Sequence, residues 1–295
     1  MTHAWQHYHR PRSIDDALDL LAHYDGNGRV IGGGTDFLVE TRRGLHRPQE
    51  AIVDATGIEG LGEIAQSDGF LTIGCGVTHS RIIRHPLIRA HGACLAESCG
   101  VIGGPQVRNV GTLAGNVAHA LPAGDGTIGL LALDGEAEVA SAEGTRWVPV
   151  RDTFVGPGRS VIDRHQEVLT RLRFRPTGDN EGSAHHRVMR PQGLCLPIVS
   201  LAARLRLDAD GRIDSATVSL GPVGPVPWVA EPAMQLILGE SPSPELFAAA
   251  ADAVLGEVSL RTSKYRATSG YRQQMIRTWL PAILGRAASR AEGAR

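Results

Sequence analysis

Val101-Ile102-Gly103-Gly104-Pro105-Gln106-Val107-Arg108-Asn109-Val110-Gly111-Thr112-Leu113-Ala114-Gly115-Asn116-Val117-Ala118-His119-Ala120-Leu121-Pro122-Ala123-Gly124-Asp125 is the stretch on which the chain turns. Gly103, Gly104, Gly111 and Gly115 alternate there with Gln106, Asn109, Thr112, Asn116 and finally Asp125. Glycine lets the backbone take up positive φ and come close to a ligand. The amides and hydroxyls between the glycines supply donors and acceptors for a polar one. A surface loop built of turn residues would share this composition. A second glycine-rich turn upstream argues for a ligand site instead.

That upstream turn follows a short buried strand, Arg29-Val30-Ile31, and reads Gly32-Gly33-Gly34-Thr35-Asp36 before a helical pattern beginning at Phe37. A strand–glycines–helix passage presents free backbone N–H groups to phosphate oxygens. It is not the dinucleotide fingerprint, because Phe37 stands where the third glycine of G-x-G-x-x-G belongs, and no Gly-Lys-Ser/Thr follows as in a Walker loop. Taken alone it is also compatible with a plain tight turn. Gly74-Cys75-Gly76-Val77-Thr78-His79 is a similar near-miss, with Thr78 placed as a helix cap.

Outward from these turns the elements interleave. Ser13 caps a helix whose apolar face is Ile14, Ala17, Leu18, Leu21 and Ala22, with Asp16 three residues on and Gly26-Asn27-Gly28 closing it. Residues 51–54 and 70–74 read as strands, 88–99 as a helix, 127–133 as a short apolar run, and 136–140 as a strand. Val168 to Phe174 alternates apolar and polar residues, as a half-buried strand does. Strands and helices in alternation predict an α/β arrangement. Composition then shifts at Arg175-Pro176-Thr177-Gly178-Asp179, a polar connector. Three strands follow (185–189, 198–207 and 213–220), the last two joined by Asp208-Ala209-Asp210-Gly211, and then helices around 230–238, 244–255 and 265–284. Strands first and helices after predict an antiparallel sheet with helices.

The chain has 295 residues, enough for two domains, and its 42% hydrophobic and 21% charged content is that of a globular protein. With 30 Lys+Arg against 31 Asp+Glu there is no general attraction to nucleic acid or membrane. No apolar run is long enough to span a bilayer, and the first residues lack a signal peptide's apolar region, so a cytoplasmic location is expected. Cys75, Cys94, Cys99 and Cys195 include no Cys-x-x-Cys pair and read as small buried residues. His79, His119, His185 and His186 lack the spacing of a metal site, and Arg108 reads as a structural ion pair rather than as a phosphate clamp.

Together these residues resemble the FAD-binding (medium) subunits of molybdenum hydroxylases, the family of carbon monoxide dehydrogenase, bacterial xanthine dehydrogenase and 4-hydroxybenzoyl-CoA reductase. Ile31-Gly32-Gly33-Gly34-Thr35-Asp36 is similar to the family's first glycine turn. Gly103-Gly104-x-Gln106-Val107-Arg108-Asn109-x-Gly111-Thr112-Leu113-x-Gly115-Asn116 is similar to its second and is the most specific motif present. His119-Ala120-x-Pro122-Ala123-x-Asp125, Phe154-x-Gly156-Pro157-Gly158-Arg159, Glu167-Val168-Leu169, Pro197-Ile198-Val199 and Tyr271-Arg272 extend the resemblance over nearly the whole chain.

The resemblance implies an α+β fold. A two-part α/β FAD-binding domain of the PCMH type would cover 1–175, with subdomains of about 1–57 and 58–175. A C-terminal domain of the carbon monoxide dehydrogenase flavoprotein type, with a three-stranded antiparallel sheet and helices, would cover 176–295. It places FAD on Ile31, Gly32, Gly33, Gly34, Thr35, Asp36, Thr112, Gly115, Asn116, His119 and Asp125, with Leu169 packing on the isoalloxazine and His186 where some relatives have a lysine near the flavin. No residue of this chain is expected to act as a general acid or base. Two glycine turns supply uncharged donors to a diphosphate carrying about two negative charges, and Asp125 suits a ribityl or ribose hydroxyl.

Ala114, Leu121 and Gly124 depart from commoner family residues, and the cysteine-bearing loop of the benzoyl-CoA reductase branch is absent. The implied role is an oxidoreductase's electron-transfer subunit, with a small [2Fe-2S] partner and a large molybdopterin partner in a dimer of heterotrimers. NAD+, a quinone or O2 would be the acceptor. A self-sufficient FAD oxidoreductase and a flavin-free docking subunit are the alternatives.

Overall fold

The structure is a computed structural model describing residues 4–190, 196–264 and 266–293; Cys195 lies outside the described residues. Three short strands open the chain: β1 (His7–His9), β2 (Gly28–Ile31) and β3 (Ala51–Asp54), a parallel sheet in the order β1-β3-β2. Helices α1 (Ile14–His23) and α2 (Thr35–Arg42) connect them. Ser13 caps α1 as expected, its hydroxyl accepting from the Asp16 N–H at 3.0 Å. The sheet has two unlike faces, because side chains alternate along each strand. Val53 joins Ala17 and Leu21 in the core on one face. Tyr8, Arg29, Ile31, Ile52 and Asp54 share the other through their strand register.

The next part interposes six helices between the strands of one sheet. After β4 (Ile64–Ser67) and β5 (Phe70–Gly74) come α3 (His79–Arg84), α4 (Pro86–His91), α5 (Ala93–Gly100), α6 (Pro105–Arg108), α7 (Leu113–Ala118) and α8 (Asp125–Ala132). Strands β6 (Glu136–Ser141), β7 (Gly144–Pro149), the small hairpin β8 (Phe154–Gly156) and β9 (Arg159–Ser160), and β10 (Val168–Phe174) follow. The five-stranded sheet runs β4-β5-β10-β6-β7, antiparallel at each pairing. Interleaved elements thus give a parallel sheet in the first part and an antiparallel one here. The helix expected over 88–99 is two helices, α4 and α5. Gly92 separates them, where a Cβ would lie 2.9 Å from the Phe174 ring. The apolar run at 127–133 is α8, buried along its whole length, which explains a helix with no polar face.

The remainder is an antiparallel sheet backed by helices. Strands β11 (Glu181–Met189), β12 (Pro197–Leu207) and β13 (Ile213–Gly221) are the three expected, and a two-residue β14 (Trp228–Val229) adds a fourth. Helices α9 (Glu231–Ile237), α10 (Pro244–Glu257) and α11 (Ser269–Gly293) follow.

This sheet is buried on both sides and its strands keep two separate accounts. Ala184, Leu201, Ala203, Leu205, Val218 and Leu220 form a core with Ile276, Leu280 and Leu284 of α11. The alternate positions face α5 and α8. Ser183 Oγ accepts from the Cys94 N–H at 3.2 Å, Ser219 Oγ donates to Ile128 O at 2.7 Å, and Thr217 Oγ1 donates to Asp134 Oδ2 at 2.9 Å. Glu97 of α5 accepts from the His185 N–H at 2.8 Å and from Arg290 at 2.6 Å, binding β11 and α11 to the first part.

Candidate functional site

The first glycine turn forms one wall of a cleft of about 500 Å³. Ile31, Gly32, Gly33, Gly34, Phe37 and Leu38 line it on one side, and Gly76, Thr78, Asn109 and Val110 of the later turns on the other. The floor is the open face of the parallel sheet, with Tyr8, Ile52 and Asp54. Glycine is required in the turn for two reasons. Gly34 has φ +65° as it caps α2, a conformation that L side chains resist. Gly33 lies so close to the second stretch that a Cβ would sit 1.9 Å from Val110 O. The two glycine stretches are therefore packed backbone to backbone. The N–H groups of Gly33, Gly34, Thr35, Asp36 and Phe37 donate no backbone hydrogen bond among the described residues. A row of free N–H groups at a helix N-terminus favours an anion.

The second stretch is held from within. Arg108 donates to Ile102 O at 2.9 Å and Gly103 O at 2.8 Å, closing the glycine loop on itself, so its role is structural but is played through carbonyls and not through the expected ion pair. Thr112 is buried; its Oγ1 caps α7 by accepting from the Gly115 N–H at 3.0 Å, and its backbone bridges Thr78. Asn116 reaches out of α7 to cap α8: its Oδ1 accepts from the Thr127 N–H at 3.0 Å and the Thr127 hydroxyl at 3.1 Å. The residue at the cap position of α8 is Gly124, which has no side chain to do this. His119 ends α7 with Nε2 3.3 Å from Glu40 Oε1 and 4.0 Å from Asp36 Oδ1, so α7 and α2 meet there. Ala120 follows with φ +54°, an unusual backbone for alanine.

Asp125 opens α8 and is buried between the two parts of the molecule. Arg187 Nη1 of β11 donates to Asp125 Oδ2 at 2.9 Å, with both side chains almost wholly enclosed. His185 Nε2 lies 3.9 Å from Asp125 Oδ1 and 2.9 Å from Ser200 Oγ. Burial pushes the Asp125 pKa up, against Arg187, which pulls it down. Burial, reinforced by His186 and Arg187, lowers His185 to about 3, so its imidazole is neutral. His186 is on the opposite pleat. It stacks on Trp279 of α11 with ring centroids 3.6 Å apart, and His185 and Arg187, not His186, face Asp125. Leu169 is buried in the core of the first part, on a strand against which α7 packs.

Two family models match the sequence. The FAD binding domain in molybdopterin dehydrogenase matches residues 3–176, and the CO dehydrogenase flavoprotein C-terminal domain matches residues 184–287. The chain belongs to the FAD-binding medium subunits of the carbon monoxide/xanthine dehydrogenase family. The nicotine 6-hydroxylase medium subunit of Paenarthrobacter nicotinovorans is 31% identical over 286 residues, 96% of this chain and 97% of that one. The xanthine dehydrogenase FAD-binding subunit of Escherichia coli O157:H7 is 28% identical over 291 residues, 97% of each. A reconstituted CO dehydrogenase from Oligotropha carboxidovorans has a chain that superposes with TM-score 0.90 at 26% identity, covering 98% of this chain and 99% of that one. The protein is thus an oxidoreductase subunit of the molybdenum hydroxylase family.

The residues of this medium subunit fit FAD. Unpaired N–H groups on glycine line the cleft, and Arg10 is the cation among its lining residues. An acidic nucleotide diphosphate satisfies such a row without a dedicated lysine. Several cleft residues were not legible in the sequence. Asp54 accepts from the Tyr8 hydroxyl and from the Thr56 N–H and hydroxyl at 2.9 and 2.6 Å. Burial and Asp54 raise the Tyr8 phenol to about 12. The one available signal was an aspartate ending an otherwise apolar strand two residues before a threonine. No group of His, Cys, Asp or Glu among the described residues could hold a metal, and Cys75, Cys94 and Cys99 are buried and unbridged.

Proposed function

We propose that this medium subunit is the FAD-bearing electron-transfer station of a multi-subunit molybdenum hydroxylase. The observation that carries the reading is the run of free N–H groups from Gly33 to Phe37, of which Gly33, Gly34 and Phe37 line the cleft. Ile31 to Asp36 would hold the cofactor's diphosphate through backbone donors. Thr112, Gly115, Asn116, His119 and Asp125 would hold diphosphate, ribityl and adenosine groups, and Leu169 would pack on the isoalloxazine. When bound, FAD supplies the capacity to accept electrons and pass them on; the protein's part is to bind, orient and tune it.

The partners are a small [2Fe-2S] subunit and a large molybdopterin subunit in a dimer of heterotrimers, in the cytoplasm. Electrons from the iron–sulfur partner leave through NAD+, a quinone or O2. Two buried cores support a division into 1–175 and 176–295, and two distinct sheets support a split of the first near residue 57. No helix among the described residues is long and apolar enough to cross a membrane.

The test is an absorption spectrum of the purified chain with the extracted cofactor identified by mass. Bound FAD, with substrate oxidation appearing only when the two partner subunits are added, is the expected result. No flavin after reconstitution with FAD would leave the glycine turns as structure and favour a docking subunit. Activity of the chain alone would favour a self-sufficient oxidoreductase.

A further inference from the structure

A carboxylate removed from water stays ionised only when a cation and hydrogen bonds replace its hydration. Asp125 is half provided for. Oδ2 is paired with Arg187 at 2.9 Å, whereas Oδ1 is buried with no partner at hydrogen-bond geometry, the Ser200 hydroxyl standing near the carboxyl group and favouring its charged form. Arg187 Nε is likewise buried without a partner. The neutral imidazole of His185 stops 3.9 Å short of Oδ1 and is engaged by Ser200. An acceptor and a donor are thus left open side by side at the seam between the two parts of the chain, at a residue whose sequence context matches the cofactor motif.

We infer that Arg187 is a positioning residue for the cofactor, fixing the Asp125 carboxyl group so that Oδ1 accepts a cofactor hydroxyl. The inference rests on the FAD reading above. The hydroxyl belongs to the ribityl chain or to the adenosine ribose; a hydroxyl donor is what both share and what an open acceptor at Oδ1 selects. The flavin site is then completed by a side chain from the C-terminal sheet, although Arg187 touches Asp125 rather than the cleft.

The experiment titrates FAD, riboflavin and ADP into the apo-protein for wild type, Arg187→Gln, Arg187→Lys, Asp125→Ala and the double variant R187Q/D125A. FAD affinity is expected to fall at least tenfold in R187Q and to stay within threefold of wild type in R187K. The double variant should bind FAD no more weakly than D125A, because Arg187 acts only through Asp125. A loss shared by riboflavin and spared for ADP assigns the ribityl hydroxyl, and the reverse pattern the ribose; either supports the inference.

Unchanged FAD affinity in R187Q overturns it, as does a further loss in the double variant. If R187Q does not fold, a folded R187K that has lost FAD overturns it equally. Wild-type protein that takes up no FAD overturns the cofactor reading and this inference with it, whereas wild-type binding with an indifferent R187Q overturns this inference alone.

Discussion

Asn116 caps a helix that is not its own: from α7 it accepts the Thr127 N–H of α8 at 3.0 Å, where Gly124 offers no side chain. The same residue belongs to the most specific cofactor motif in the sequence. Stability and ligand binding therefore meet in one amide, and the two can be separated. Its oxygen is used by α8, while its NH2 makes no hydrogen bond among the described residues.

Asn116→Leu removes the cap and should cost about 1 kcal/mol, lowering the thermal midpoint by roughly 2–4 °C, together with FAD occupancy. Asn116→Asp keeps the acceptor and replaces the NH2 with a second acceptor. Its midpoint should stay at the wild-type value while FAD content drops at least several-fold. Calorimetry and flavin-to-protein absorbance ratios on the two variants give the answer. Full flavin content in Asn116→Asp would confine Asn116 to capping.

Gly33→Ala tests the packing of the two turns. The added methyl would meet Val110 O at 1.9 Å, so one backbone must move. Overpacking of this kind destabilises by about 1–3 kcal/mol, and the displaced turn should lose FAD. A variant with normal melting and normal flavin content would show that the turns are not seated as described.

Two buried histidines should make the protein acid-sensitive. Burial lowers His79 to about 4 and His185 to about 3. Both lie below the unfolded value of about 6.5, so the unfolded chain binds protons that the native one refuses. Their contribution is complete above pH 6.5 and is lost as the pH falls through 6.5 toward 4, at about 1.4 kcal/mol per pH unit for each histidine. Asp125, with its raised pKa, acts in the opposite direction, so the informative quantity is a difference. Urea midpoints between pH 7 and 4 should fall less steeply for His79→Gln than for wild type. Parallel curves would contradict a neutral buried His79.

Glu97 anchors the seam. It accepts from the His185 N–H, Arg286 and Arg290 at 2.8, 3.1 and 2.6 Å. Glu97→Ala should destabilise by about 2 kcal/mol, since hydrogen bonds involving a charge are worth about 1.5–3 kcal/mol each and part is recovered by water. Proteolysis should then speed up in the connector near Gly178. An unchanged cleavage rate would mean that the sheet is held without Glu97, by its hydroxyl contacts and the Asp125–Arg187 pair.

The parts of this molecule visible in the sequence are those that local chemistry dictates. Gly32 to Gly34 announced a turn between strand and helix, Ser13 a cap, and the alternation from Val168 to Phe174 a strand, because each is decided by neighbours in the chain. Strand direction was not visible: with six helices between β5 and β6, the order of elements does not fix how β10 pairs. Strands β1 and β14, of three and two residues, are too short to show a period. Of the candidate site, the backbone was legible and the tertiary partners were not. Nothing near Asp125 indicates Arg187, 62 positions away. Nothing near His186 shows that the pleat turns it to Trp279 while its neighbours face the other way.

The unlike faces of the C-terminal sheet carry a consequence for how this chain could be divided. Its helix side is aliphatic, but the side laid on α5 and α8 is written largely in Ser183, His185, Arg187, Ser200, Thr217 and Ser219, groups that water can accept. The surface it meets is not polar: Ile128 of α8 reaches Gly221 and Ala202 belongs to the first core, so opening the seam uncovers apolar side chains. Two halves made as separate polypeptides would each carry an uncovered apolar face and would fold best when produced together, and the line along which they meet passes through Asp125.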